Sequence, residues 1–475
     1  MKQIFAILFF LFTSGILLAQ NTVSFEVREE SGEPLIGASV VIEGTTNGTI
    51  TNQDGIAKFE NLPDGEFEFI ISFVGFEEKE IEISFPRDNN KVIEIELEEG
   101  EELEEVVIAA TRSSRTIQDI PTRVEAITGE ELGEKAAMNS TNIGMLLRET
   151  TGVQMQQTSL SSGNMSIRIQ GLDGRYTQIL KDGMPLYGGF AGGLSIMQIP
   201  PLDLKQVELI KGSNSTLYGG GAIAGLVNLV TIQPEEEAKL DVMVNQTSAL
   251  GTTGNLFYAQ KYGKVGLSVY GSANNQIAFD PDNDSFSNMP KPQTYSLNPK
   301  FYYYFNPETE LSLGLNTTID NRTGGDMEVI QGNSSAENVF SEENKSERYA
   351  SQLSFQNTTD NRTFSFKNSV SYFDRKLTIP DYSFSGNQLS SFTEAIYNLH
   401  NSDKTEWQFG LNHYLEQFTE KDADSYSARD YTHNTIGGFI QNTTDFSEKI
   451  GLETGLRADY NADYGTFVLP RFSLL

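Results

Sequence analysis

The chain has no cysteine. That absence excludes disulfides, thiolate metal sites and a lipid-modified cysteine near the amino terminus. Histidine is almost as scarce. His400, His413 and His433 are the only three, and they are too dispersed in sequence to imply one site. Cations are in the minority, with 34 Lys+Arg against 65 Asp+Glu and a net charge of −31. Nucleic-acid binding, which needs basic patches, is therefore excluded. Beyond the first 20 residues no apolar run reaches the roughly 20 residues that a membrane-crossing helix needs. If the chain resides in a bilayer it must do so as a closed β-barrel, the other structure that satisfies its own backbone in lipid.

Chemistry of other kinds is missing as well. Gly219 to Gly225 is not spaced G-x-G-x-x-G, and no lysine–serine pair follows it, so no phosphate loop is read there. Asp280, Asp282 and Asp284 are spaced like calcium ligands. Ser285 stands where such a loop needs glycine and Lys291 where it needs glutamate, so the stretch is read as an acidic external loop, and no metal site is expected. No nucleophile–base pair stands out. No catalytic residue, enzyme activity or cofactor is expected.

What is present is mainly β. Residues 1–20 have the form of a secretory signal peptide. Lys2 supplies the charge, Ile4 to Phe12 the apolar core, and Leu17-Leu18-Ala19 a cleavage site near Ala19 or Gln20. In residues 22–98, Val23, Phe25 and Val27 alternate with polar residues, and turns fall at 31–34, 54–55 and 63–65, as in a small β-sandwich. Residues 99–112 begin as a glutamate run, read as a solvated linker. It leads into Glu105, Val106, Val107, Ile108, Ala109, Ala110 and Thr111. Such a short apolar, partly β-branched stretch can add itself to the sheet edge of another protein.

Residues 113–232 alternate β-rich runs (Ile167 to Gln170, Thr177 to Lys181, Gln206 to Lys211, Leu226 to Thr231) with glycine turns. One helical stretch is expected near Thr141 to Glu149. From 238 to 475 apolar and polar residues alternate, as in Leu311, Leu313, Leu315 and Ile319 against Ser312, Gly314 and Asn316. About twelve strands of this kind are read, the last being Phe467 to Leu475. Short turns (262–263, 306–308, 360–361, 402–403) alternate with long polar loops expected at about 274–295, 320–347, 374–391 and 417–433. That asymmetry belongs to transmembrane barrels.

The pieces Ser166-Ile167-Arg168, Leu180 to Leu186, Val207 to Gly212 and Leu217-Tyr218-Gly219 with Gly221 to Gly225 and Asn228 resemble the plug of TonB-dependent outer-membrane receptors. Ile120 to Val124 resembles the start of that plug. Ser213 departs from the pattern, standing where the family usually has proline. Gly32 to Val40 with Asn52 to Gly55 resembles the carboxypeptidase-regulatory-like β-sandwich, which brings no peptidase activity.

The resemblance implies several expectations. The fold would be a small β-sandwich, a mixed α/β plug and the N-terminal part of a transmembrane β-barrel of about 22 strands, a width that leaves a plugged lumen. Twelve strands enclose too little room for such a plug, and the end Pro470 to Leu475 lacks a terminal aromatic. The sequence is accordingly read as C-terminally truncated. Residues 105–111 would be the box that binds the TonB protein of the inner-membrane energy-transducing complex. The apical plug loops would be Gln156 to Asn164 and Tyr187 to Ser195. Gln156, Gln157, Ser161, Ser162, Asn164, Tyr187, Phe190 and Ser195 are the candidate ligand contacts there.

The implied function is active import across the outer membrane of a scarce or bulky ligand, such as an iron–siderophore, haem, cobalamin or similar chelate. The plug wording is closer to the siderophore and cobalamin branch than to the glycan-importing branch. Two alternatives stay open: a receptor that mainly signals, and a surface ligand-binding or adhesin β protein. Signalling members carry an N-terminal domain of βαβ type, whereas 22–98 has no helical period. An adhesin would explain neither the box nor the plug.

Overall fold

In the computed structural model the described residues are 21–29, 32–43, 45, 47–73, 76, 78–86, 92–97, 107–112, 124–194, 196–333, 339–402, 404–421, 428–447 and 450–474. They form two compact units divided between Val106 and Val107. The expected signal segment 1–20, and the plug start expected at Ile120 to Arg123, lie outside the described residues.

The first unit is a sandwich of seven strands. One sheet has the order Ile56–Leu62, Asn21–Glu29, Ile93–Leu97, and the other Gly48–Ile50, Ser39–Ile42, Gly65–Ser72, Lys79–Phe85. Alternation sends Val23, Phe25 and Val27 inward, where all three are buried. Phe25, Phe59 and Phe69 meet there with ring centroids 4.9 to 6.3 Å apart. Phe69 is fully buried, so truncating it leaves a cavity at the centre of this unit's core. Residues 21–98 expressed alone should unfold cooperatively. Phe69→Ala should lower their stability in urea by about 3–5 kcal/mol. A change under 1 kcal/mol would show that the aromatic trio is not the core.

The outer face of the four-stranded sheet carries like charges in register, with Glu68 directly opposite Glu82. Neighbouring Glu43 and the other carboxylates of that face push the Glu68 pKa up.

The second unit holds the plug and a meander. The plug's five-stranded sheet runs Met184–Tyr187, Thr177–Lys181, Gly225–Thr231, Leu204–Lys211, Val124–Thr128. Its one parallel pair is Thr177–Lys181 with Gly225–Thr231. A separate hairpin, Val153–Gln157 with Met165–Ile169, rises beside it. The helix expected near 141–149 is the short Gly144–Arg148, and a longer one occupies Gly129–Met138. Leu146, Leu147, Ile169, Val207, Leu209, Val227 and Leu229 build the plug core.

Twelve antiparallel strands follow from Lys239–Gln246 to Gly465–Leu474, each pairing with the next. Among the described residues the first and last strands each have one neighbour. The expected alternation is present. Leu313, Leu315 and Ile319 are exposed on the outer face, while Ser312, Thr318 and Asp320 are buried facing the plug. Tyr262, Tyr303, Phe305, Trp407, Phe409 and Phe446 form an outward aromatic band near one end of the strands. Tyr295, Tyr349, Tyr372 and Tyr460 form a second band higher up. Paired aromatic girdles around an apolar belt mark the two interfaces of a membrane.

The connection 276–290 lies at one end of the strands, the end that also bears Gly325, Ser341, Lys421 and Tyr431. The expected long loop at 374–391 is corrected. These residues continue the strands Arg362–Ile379 and Tyr382–Ser402, joined at Pro380-Asp381 with Asp381 at φ 59. Every residue from Asp374 to Ile379 is paired, for example Lys376 with Ser385. The stretch is polar because the hairpin rises beyond the apolar belt, not because it leaves the sheet.

Candidate functional site

Two regions of the second unit carry the expected site residues, at opposite ends of the plug. In the first, Glu105 and Val106 lie outside the described residues, and Val107 to Arg112 are docked on the plug, with Ile108 extended (φ −93, ψ 101) ahead of a turn. Ala109–Thr111 is a 3-10 turn. The Ala109 and Ala110 N–H groups donate to the two oxygens of Glu208, at 2.8 and 2.7 Å. The Gln206 amide donates to Val107 O at 3.0 Å, and the Tyr218 hydroxyl to Ala110 O at 2.7 Å. Ile108, Ala110 and Thr111 are buried, while Val107 is 46% exposed.

Glu208 also accepts from Asn228 Nδ2 at 2.8 Å, its partner in the ladder between Leu204–Lys211 and Gly225–Thr231. Burial pushes the Glu208 pKa up against the pull of Asn228, the Ala109 and Ala110 N–H groups and the Gln206 amide, which also donates to Glu208. An anionic acceptor inside a plug is costly unless every lone pair is met, and here backbone N–H groups of the docked segment complete the set.

Arg112 closes the seat. Its guanidinium is buried, pairs with Glu394 of the barrel wall at 2.5 Å, donates to Leu217 O and stacks 4.1 Å over the Tyr218 ring. Its carbonyl accepts from Asn398 and Gln408 at 2.7 and 3.0 Å. The sequence reading missed Glu208, Gln206, Asn228, Tyr218 and Glu394. A glutamate within Val207 to Ile210, in register with an asparagine within Leu226 to Val230, was the available signal.

At the other end, the two apical plug loops reach the end of the wall that bears the connection 276–290. Gln156 and Gln157 are exposed. Ser161 and Ser162 are buried, because their loop packs on the wall. Ser159 donates to Glu342 at 2.9 Å, and so does Ser161. Gly324 leaves the space for this approach: a Cβ there would sit 1.8 Å from Ser161 O. Asn164 O accepts from Thr158 N at 2.8 Å, which closes the loop. Tyr187 pairs with Ile179 in the plug sheet, and Ser195 lies outside the described residues. Phe190 enters a ring cluster of the wall, with centroids 5.3, 5.5 and 4.7 Å from Phe373, Phe384 and Phe418.

Between these ends a plug turn is pinned by charge. Asp182 accepts from Lys300 Nζ and Thr231 N, each at 2.9 Å, and its carbonyl accepts from Lys367 at 2.8 Å. Burial works to raise the Asp182 pKa, but Lys300 and the Thr231 N–H outweigh it and hold the carboxyl at about 2. That lies below the unfolded carboxylate value of about 3.9. The anchor's contribution is therefore complete above about pH 4 and is lost as pH falls towards 2. Hydrogen exchange of the 181–184 turn should accelerate over that interval, and Asp182→Asn should remove the pH dependence. An unchanged acid profile in Asp182→Asn would contradict the assignment.

The histidines stay apart: His433 Nδ1 lies 3.1 Å from Asp463, and His413 Nε2 lies 2.9 Å from Asn434. The Asp280, Asp282 and Asp284 carboxylates come within 4.8 Å of one another in the connection 276–290, and Asp280 accepts from Ser285 N at 2.9 Å.

Comparison with known proteins agrees with this architecture. Residues 116–226 match the TonB-dependent Receptor Plug Domain, and 26–108 the CarboxypepD_reg-like domain. The iron-regulated outer membrane virulence protein of Vibrio cholerae is 24% identical over 78% of this chain and 56% of its own length. The vitamin B12 transporter BtuB of Photobacterium profundum is 25% identical over 38% of this chain and 31% of its own length. The siderophore receptor PirA from Acinetobacter baumannii superimposes with a TM-score of 0.62 at 15% identity, over 75% of this chain and 59% of that one. The chain thus spans a little over half the length of that Vibrio cholerae relative. Its plug and its relatives are those of receptors and transporters, which are not enzymes.

Proposed function

We propose that this chain, which carries the plug domain and barrel strands of a TonB-dependent receptor, serves energy-coupled import across an outer membrane. The observation that carries the proposal is the seat of Val107 to Arg112. A short segment is held on the plug face by side-chain contacts to its backbone (Glu208, Gln206, Tyr218) and by one ion pair to the wall. Among the described residues it belongs to no named strand, and Val107 makes only an isolated bridge. Once released, it can extend and pair with a sheet edge of the periplasmic TonB protein. Tension on it reaches the plug at Glu208 and the plug–wall contact at Arg112–Glu394.

Ligand would be met at the opposite end, which bears Gln156, Gln157, Phe190 and the connection 276–290. The proposed ligand is a scarce or bulky chelate of the iron–siderophore, haem or cobalamin kind. Relatives named as iron-regulated and as a vitamin B12 transporter support that class. The N-terminal sandwich, which holds no helix among the described residues, favours import over a mainly signalling role, and the docked segment with its plug favours it over adhesion. Export by a cleaved signal peptide at 1–20 is part of the proposal.

Cells carrying the complete receptor should accumulate one member of a panel of ferric siderophores, haem and cobalamin, and a protonophore should abolish that accumulation. Accumulation that persists after the proton gradient is collapsed would overturn the coupling.

A further inference from the structure

We propose that the outward face of the wall holds the phosphate of an outer-leaflet lipid head group on a row of lysines, Lys345, Lys376 and Lys421; this rests on the outer-membrane reading above. The three stand in one register line across four neighbouring strands. Lys345 lies directly opposite Lys376, Lys376 opposite Ser385, and Ser385 opposite Lys421. The line holds three cations and no carboxylate, on a chain with 65 Asp+Glu against 34 Lys+Arg.

Alternation fixes the face on which the row lies. Asn344, Ser346 and Arg348 are buried towards the plug, which puts Lys345, Glu347 and Tyr349 outside. Phe373 is buried in the same way, which puts Tyr372, Asp374 and Lys376 outside. Tyr349 and Tyr372 are a cross-strand pair of the upper aromatic band. Lys345 and Lys376 stand four residues beyond them, roughly 13 Å along a strand and less along the membrane normal, because barrel strands tilt. The long lysine stem bends back towards the interface, so the ammonium groups fall at the level of the head groups.

The charges there are arranged so that an anion completes them. Like charges directly opposite each other destabilise a sheet, and two such pairs lie one above the other: Lys345 with Lys376, and Glu347 with Asp374. The acids have partners below. The Tyr349 hydroxyl donates to Glu347 at 3.0 Å and the Tyr372 hydroxyl to Asp374 at 3.3 Å, which draws both carboxylates towards the aromatic band. Among the described residues Lys376 has no ion pair. Lys345 pairs with Glu343 at 2.8 Å and Lys421 with Asp374, and the side chains of both pairs are largely open to the outside. Exposed pairs of this kind are worth little, so a phosphate can take the place of the carboxylate. Two ammonium groups on neighbouring strands, whose backbones run about 5 Å apart, suit the oxygens of one phosphate through charge-assisted hydrogen bonds. A lipid brings that phosphate to the row with its acyl chains on the apolar residues beneath, where Leu315, Val370 and Leu389 are exposed. A free anion would gain nothing from that apolar face.

The complete receptor, purified in detergent, is titrated in native mass spectrometry with diphosphorylated lipid A, with the same glycolipid stripped of its phosphates, and with inorganic phosphate. The diphosphorylated form should bind saturably and the stripped form much more weakly. Lys345→Gln combined with Lys376→Gln should weaken binding by about thirtyfold, close to fivefold for each lysine. Lys345→Arg combined with Lys376→Arg should retain it, and Lys264→Gln, in the turn between Thr252–Tyr262 and Val265–Asn275 at the opposite end, should leave it unchanged. Equal affinity in the double glutamine variant and the unaltered receptor would overturn the site, and so would an equal loss in Lys264→Gln. Loss in the double arginine variant as large as in the glutamine one would overturn the role of charge. Equal binding of the stripped glycolipid would overturn phosphate as the group held, and displacement of the lipid by an equimolar amount of inorganic phosphate would overturn the lipid as its source. Binding in detergent needs neither TonB nor a proton gradient. A receptor that imports nothing would therefore defeat the function proposed above and leave this result standing, and a failure here would leave the import reading intact.

Discussion

Accumulation of ligand falls to background when Val107 is replaced by proline, while ligand binding at the cell surface stays at its wild-type level. Proline has no N–H and is excluded from a central strand, so a segment carrying it cannot complete the ladder with a partner's sheet edge. Losing one ladder bond, with the added clash, lowers affinity for the partner by about tenfold or more. The ligand end is untouched, because Gln156, Gln157 and Phe190 lie at the far end of the plug from Val107. The measurement is a pair of assays on the same cells, surface binding at low temperature and time-dependent accumulation. Normal accumulation in Val107→Pro would rule out 105–111 as the coupling segment.

The second large effect is expected at Arg112. Its guanidinium and the Glu394 carboxylate are both buried, with side chains 5% and 1% exposed. Replacing Arg112 by methionine keeps much of the side-chain volume and removes the ion-pair partner of Glu394, which keeps the pull of Lys367, Arg457 and Asn412. Breaking one side of a buried pair costs roughly 3–5 kcal/mol. That is two to three powers of ten in the equilibrium between the seated and the released segment. A spin label at Ala109→Cys, the sole cysteine in the chain, should be immobile in the otherwise unaltered receptor and mobile in the Arg112→Met background. Glu394→Gln should give an intermediate spectrum, because it removes the charge and keeps a hydrogen-bonding group. A label equally immobile in all three would mean that Glu208 and Tyr218 hold the segment without help from the wall.

Much of the architecture could be read from local pattern. Phe25 between polar neighbours gave a buried sandwich strand, and Leu313 and Leu315 against Ser312 gave a wall with an apolar outside. Thr177–Lys181 was read as a plug strand with the bounds it has. Pattern failed where polarity had a different cause. Asp374, Arg375 and Lys376 are as polar as a loop because their hairpin stands above the apolar belt. The helix Gly129–Met138 offered little periodicity, since Leu132 and Ala136 are the residues it buries.

The candidate site was legible as a sequence pattern and not in its conformation. An apolar β-branched stretch at 106–108 pointed to a strand in waiting, but the 3-10 turn that follows it at Ala109–Thr111 is docked on Glu208, about a hundred residues away. Likewise Ser161 and Ser162 sit between the strands Val153–Gln157 and Met165–Ile169. Their burial depends on Gly324, whose missing side chain no local rule connects to them.

The most direct test of coupling through Val107 is a crosslink in intact cells. The complete receptor carrying Val107→Cys is combined with a panel of single-cysteine variants along the edge strand of the TonB carboxy-terminal domain, and the membranes are oxidised. The account predicts disulfide adducts at Val107→Cys that alternate along the edge strand with the two-residue period of a ladder, and none at Ile50→Cys, an exposed control in the N-terminal sandwich. Adducts at the control as frequent as at Val107, or none at Val107 at any edge position, would contradict it.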